Sequence, residues 1–241
     1  MTLSSDASRR HTSETEASNE FVKGDENILV GPDWQNLTRE DLERNYVTRL
    51  NRRFFGKPDI RLVEIDGHRA VHKDIKEKSL LVRYTVGSWL INREYRIYSR
   101  LGGCSGVPRL HSRPDRWSVL VEYIEGEALR RDDPRLNDPA FFRRLYALVG
   151  AIHARGVVHL DLRHKGNIMI TDGGKPFVID FNSSFYLGGN ALGRRLLPWL
   201  KKIDSFGLLK LKQRVAPGLL TEEDNAQLKW FRVMRRLWVF R

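Results

Sequence analysis

The chain has 241 residues, 41% of them hydrophobic, enough for a real core in one domain or in two small lobes around a shared cleft. Its single cysteine, Cys104, excludes a disulfide framework and a cysteine-based zinc site, and it fits a reducing compartment. No run approaches the roughly 20 apolar residues needed to span a bilayer, and the N-terminus lacks the apolar core of a signal peptide, so a cytoplasmic location is expected.

The net charge of +12 is unevenly spread: from Ala191 onward twelve Lys/Arg face four Asp/Glu, a local balance of +8. A basic field of this kind favours an anionic partner, whether a phosphorylated glycan, an anionic lipid surface or a nucleic acid.

In chain order, residues 1–35 are rich in Ser, Thr, Glu and Asn and read as a disordered tail. Thr38-Arg39-Glu40-Asp41 resembles a capping box and predicts a helix to about Leu50. Arg52 to Pro58 form a basic turn. The stretch Asp59 to Ile65, the turn Asp66-Gly67 and the stretch His68 to Ile75 predict a hairpin, with Lys73 in its outgoing strand. From Val86 to Leu101 the pattern becomes helical, with Glu94 mid-way and Gly102-Gly103 as its stop. Trp117 to Ile124 is an apolar strand ending at a hinge, Glu125-Gly126.

Pro139 to Ala154 carries apolar residues at helical spacing. Next comes a loop with His159, Asp161, Arg163 and Asn167, then two short strands folded at Asp172-Gly173-Gly174, the second delivering Asp180. Two carboxylates and an amide on neighbouring loops suit a metal-dependent phosphate site better than a core. Leu192 to Leu211 is predicted helical in pieces, broken at Pro198. Thr221 to Asp224 opens a last helix, with Trp230, Phe231, Met234, Leu237 and Trp238 on one broad side and Lys229, Arg232, Arg235 and Arg236 largely on the other. Such a helix can lie in a membrane interface.

The order of parts (hairpin with lysine, helix with glutamate, strand to hinge, long helix, acidic loop, hairpin, aspartate) resembles the protein-kinase-like fold over roughly Asp59 to Leu211. The resemblance implies an α+β fold with a small β-rich N-lobe over residues 36–125. A mainly helical C-lobe would span 126–241 and end in the basic amphipathic helix. It implies an ATP- and Mg²⁺-dependent phosphotransferase. Lys73 would contact the phosphates, Glu94 would pair with it, and Asp161 would serve as catalytic base. Asn167 and Asp180 would hold Mg²⁺, and Glu122, Tyr123 and Ile124 would border the adenine. Asp204 looks like the aspartate that buttresses the catalytic loop.

Three departures accompany the resemblance. Five residues separate Asp161 from Asn167 where the usual pattern has four. The Asp-Phe-Gly triplet reads Asp180-Phe181-Asn182, where an asparagine tolerates a left-handed backbone. No glycine-rich loop precedes Lys73; Gly56 stands alone beside Arg52, Arg53 and Lys57.

No Ala-Pro-Glu element lies between Asn182 and Asp204, so a peptide-binding activation segment is not expected. The small core, the His-x-Asp-Leu-Arg loop and the basic C-terminus look like the lipopolysaccharide-core sugar kinases. These phosphorylate 3-deoxy-octulosonic acid or heptose on a lipid-anchored glycan. The expected partner is then an anionic glycolipid or membrane surface, reached from the cytoplasmic face. A RIO-like protein kinase bound to ribonucleoprotein, acting on a protein substrate, is the second reading, and a nucleic acid is the weaker partner. A catalytically inactive kinase fold acting as a binding module is the third.

Overall fold

The computed structural model describes residues 32–51, 57–131 and 133–237, with side chains up to 230 except within the gaps. The chain divides into two units, Met1–Pro32 and Asp33–Arg241. The second unit has an α+β fold.

Helix α1 (Arg39–Arg44) starts on the predicted capping box: the Thr38 hydroxyl accepts from the Asp41 amide, and the Asp41 carboxylate accepts from the Thr38 amide at 2.9 Å. It does not continue to Leu50. The Asn45 side chain donates to the Asp41 carbonyl at 2.8 Å, and Tyr46–Arg49 becomes strand β1. Val47 and Thr48 are β-branched, and pairing with the next strand satisfies a backbone that helix propensity alone would not hold.

Strands β2 (Asp59–Ile65) and β3 (His68–Asp74) form the predicted hairpin, in register from Asp59 opposite Asp74 to Ile65 opposite His68. Both turn residues have positive φ, 50° at Asp66 and 76° at Gly67, as a type I′ turn requires. A short helix, α2 (Leu80–Val82), and a π-type turn over Arg83–Gly87 lead into α3 (Ser88–Arg100). Strands β4 (Leu110–Ser112) and β5 (Ser118–Glu122) complete an antiparallel sheet in the order β1-β2-β3-β5-β4. Ile91 of α3 is buried with Ile75 and Val119, which fixes the helix to this sheet.

The rest is mainly helical. Strand β6 (Glu127–Ala128) precedes α4 (Pro139–Ala154), whose amides are capped by Asp138 and whose start is preset by Pro139. Phe141, Phe142, Leu145 and Ile152 of α4 form the main core with Ile168, Val178 and Phe181. Strand β7 (Val157–Val158) opens the acidic loop. Strands β8 (Ile168–Ile170) and β9 (Pro176–Val178) form the predicted second hairpin, with β6 on its edge, and β10 (Phe185–Tyr186) pairs with β7. Helix α5 (Ala191–Val215) is continuous through Pro198, contrary to the predicted break. Pro198 and Arg194 are both exposed, so water can satisfy the carbonyl that Pro198 leaves without an amide donor. Helix α6 (Glu222–Leu237) opens on the predicted Thr221–Asp224 box, and Asp224 also accepts from Lys212 of α5 at 2.6 Å. No helix among the described residues is long and apolar enough to cross a membrane. Arg52, Arg53, Gly56 and the side chains of Phe231, Met234, Leu237 and Trp238 lie outside the described residues.

One charge network ties α1 to the sheet. The Arg39 guanidinium forks onto Asp74 at 2.6 and 3.0 Å, and its Nε reaches Asp115 at 2.7 Å. Burial alone would raise Asp74 and Asp115, but Arg39 brings both below the usual aspartate value of 3.8. Arg39→Ala leaves the Asp74 carboxylate buried without its main partner and should cost about 3 kcal/mol in urea denaturation at neutral pH. Because both carboxyls are depressed in the fold, this contribution is fully present above pH 3.8 and fades as pH falls through their folded values. The stability gap between wild type and Arg39→Ala should therefore narrow in acid.

Candidate active site

Lys73 points from β3 to Glu94 on α3, and its ammonium donates to Glu94 Oε1. Both side chains are buried, and the Lys73 ammonium lies 3.8 Å from Asp180 Oδ1. Burial on its own would lower the lysine, but Glu94, Tyr98 and Asp180 outweigh it and raise it, so Lys73 is held charged. Burial would likewise raise Asp180, yet the Lys73 ammonium brings it below the usual range. Glu94 Oε2 has no hydrogen-bond partner among the described residues.

This cluster closes one end of a cavity of about 370 Å³. Ile60 and Val71 come from the five-stranded sheet and Leu50 follows its first strand, while Met169 comes from the second hairpin and Ile179 directly follows it. Glu122, Tyr123 and Ile124 line a further side at the exit of β5. The cavity therefore has apolar walls, a strand edge and a charged end, the general form of a small-molecule pocket.

The acidic loop hangs from one carboxylate. Asp204, buried on α5, accepts the His159 amide at 2.8 Å and the Leu160 amide at 2.6 Å. His153 of α4 also contacts it, at 2.9 Å. Leu160 is left-handed, with φ of 65°, a conformation costing a non-glycine residue roughly 1–2 kcal/mol. Gly207 lets α5 press on this loop, since a Cβ there would lie 3.2 Å from the Arg163 amide nitrogen. His159 is buried, which lowers its pKa and keeps it neutral. Its Nε2–H donates to the Ile179 carbonyl at 3.1 Å, and its Nδ1 accepts from the Asp161 amide at 3.4 Å.

Two consecutive turns carry the chain from Asp161 to Asn167. The His164 amide donates to the Asp161 carbonyl, and the Asn167 amide donates to the His164 carbonyl. Asn167 thus returns to Asp161, donating from Nδ2 to its carbonyl at 3.0 Å and to Oδ2 at 3.2 Å. The Asn167 carbonyl also accepts the Ile179 amide at 2.9 Å, which places Asn167 beside the residue preceding Asp180. Asp180 itself is left-handed, with φ of 62°. The left-handed position of the triplet is therefore Asp180; Asn182 lies in a helical turn and donates to Asp180 Oδ1 at 2.6 Å. No protein-family model matches this chain.

Among the described residues no three His, Cys, Asp or Glu side chains gather to hold a metal ion. The donor set is smaller: the Asn167 amide nitrogen is committed to Asp161, which leaves its oxygen free, and Asp180 is held ionised. One amide and one carboxylate oxygen fit Mg²⁺, which keeps several waters and takes its remaining ligands from phosphates.

Of the residues singled out in the sequence, Lys73, Asp180, Glu122, Tyr123 and Ile124 line the cavity, Glu94 is buried behind Lys73, and Asp161 and Asn167 meet each other outside the lining. Two contributors were not foreseen. His153 supports Asp204. Tyr98 packs edge-on against Phe181, the residue after Asp180, with ring centroids 5.2 Å apart. Tyr98 falls four residues after Glu94 on the same helical face, a spacing that could have flagged it. Asp204→Asn would replace one of the accepting oxygens by a donor and should cost about 2–3 kcal/mol. Hydrogen exchange would read the loss locally, as faster exchange of the His159 and Leu160 amides.

Proposed function

We propose that this protein is an ATP- and Mg²⁺-dependent phosphotransferase of the protein-kinase-like superfamily, with its N-lobe over residues 36–125 and its C-lobe over 126–241. The observation that carries the reading is the buried Lys73–Glu94 pair facing Asp180 at the charged end of an apolar cavity. Perturbed charges at a pocket are more common in functional sites than in plain cores. Lys73 would hold a fixed positive charge against the nucleotide phosphates, and the Glu122–Ile124 edge would present backbone groups to the base. Asn167 and Asp180 would hold Mg²⁺, which neutralises developing phosphate charge. Asp161, partly exposed and oriented by Asn167, would take the proton of the acceptor hydroxyl.

For the acceptor, we favour a sugar hydroxyl of a lipopolysaccharide-core type glycolipid. Only residues 181–190 lie between Asp180 and α5, and two of them are used in β10. That leaves little chain on which an extended peptide could lie, which weighs against the RIO-like protein-kinase reading. The closure of Asp161 on Asn167 weighs against an inactive fold, because the longer loop still brings the two side chains together.

Two measurements test this. ATP with Mg²⁺ at about 100 times Kd should raise Tm by roughly 5 °C or more. Lys73→Met and Asp180→Ala should lose the shift relative to their own unliganded Tm, and no shift for wild type would sink the enzyme reading. With radiolabelled ATP, label should enter core oligosaccharide and not casein. Asp161→Asn should keep the thermal shift and lower transfer by roughly 100-fold or more. Label on casein alone would move the assignment to a protein kinase.

A further inference from the structure

The N-terminal half of α5 is barely covered: from Ala191 to Ile203 only Gly193 is buried. Because the helix continues through Pro198, Leu192, Leu196, Trp199 and Ile203 fall on a single stripe at i, i+4, i+7 and i+11. They are 67, 44, 67 and 49% exposed. The stripe is about 16 Å long. Arg195 and Lys202 border it on one side, with the Lys202 ammonium 4.9 Å from the Trp199 ring centroid. Neither forms an ion pair among the described residues, and the first acid of α5, Asp204, is buried against the acidic loop.

We propose that this stripe is a docking face for a bilayer surface carrying anionic lipid. An apolar row with an indole at its middle and cations at its edge matches the interface, where rings enter the headgroup boundary and Lys/Arg meet lipid charge. A second copy of the chain fits less well. Four side chains fall far short of the roughly 20–30 residues per side in a stable interface, and two chains of net charge +12 repel. The stripe ends at Ile203, next to Asp204, so the helix that meets the lipid also holds the backbone of His159 and Leu160. The face would thereby set the orientation of Asp161 towards the membrane. This deepens the glycolipid reading and rests on it for the acceptor, but lipid binding itself requires no nucleotide.

The test is co-sedimentation of the full chain with vesicles of phosphatidylcholine alone, or with about a third phosphatidylglycerol to supply the negative charge. Wild type should bind the anionic vesicles and leave the neutral ones. Leu196→Ser/Ile203→Ser and Arg195→Glu/Lys202→Glu should each weaken binding by roughly tenfold or more. Both double variants should keep the ATP–Mg²⁺ thermal shift, which shows that they are folded. No binding by wild type, or binding unchanged in both variants, would overturn the proposal. So would concentration-dependent self-association that the stripe variant abolishes, which would assign the face to a second copy. Failure here with the thermal shift and transfer intact leaves the phosphotransferase reading standing.

Discussion

Lys73 and Glu94 are charges taken out of water at a cost of several kcal/mol per ion, and their attraction offsets that only while β3 and α3 hold them together. The surrounding structure meets this condition from two sides. Lys73 lies in the middle of the sheet, opposite Ile60 on β2 and Val119 on β5, so its backbone cannot drift. Glu94 is fixed by a helix that buries Ile91 one turn before it and Tyr98 one turn after it. Tyr98 then packs on Phe181, the residue after Asp180, so the position of α3 also bears on the third charge of the cluster. Two apolar side chains would pack here without the desolvation cost. The charges are therefore better explained by what the cavity beside them can bind than by stability.

Asp204 solves a different problem. Its carboxylate is also buried, but it is met by two consecutive backbone amides and by the edge of His153. Hydrogen bonds to a charged acceptor contribute roughly 1.5–3 kcal/mol each, enough to offset the left-handed turn at Leu160. His159, held below its ordinary pKa by burial, passes the alignment on by bonding both the Ile179 carbonyl and the Asp161 amide. The chain of support thus runs from α5 through the acidic loop to the strand that delivers Asp180, by way of the buried side chains of Asp204 and His159.

Much of this was legible in the sequence where local chemistry decides the outcome. Asp66-Gly67 specified the first hairpin and its register, Pro139 after Asp138 fixed the start of α4, and both Thr-to-Asp capping boxes formed. The α+β class followed from these elements. The helix expected to Leu50 failed because Tyr46–Arg49 gains a strand partner that no local pattern announces. Lys73 and Glu94 taken singly resemble exposed residues; their burial is a consequence of α3 docking on the sheet. The longer Asp161–Asn167 spacing could not reveal its own remedy, since two tight turns and a straight bulge have the same count. Asn182 is the residue whose chemistry suggests a left-handed backbone, yet that conformation belongs to Asp180, two positions earlier.

Pro198 poses the remaining physical question, because an interior proline costs a helix about 3 kcal/mol relative to alanine and this one sits where packing is thinnest. The segment is fixed at its ends rather than along its length. At the start, Asn190 accepts the Gly193 amide at 2.7 Å, and Gly193 approaches the Leu187 carbonyl so closely that a Cβ would lie 2.4 Å from it. At the other end, Asp204 and Gly207 bind the helix to the acidic loop. A helix pinned in this way can tolerate a missing hydrogen bond between the pins and still present one continuous side. The second of these pins joins that side to the loop carrying Asp161, so the exposed stripe and the acidic loop share one rigid attachment.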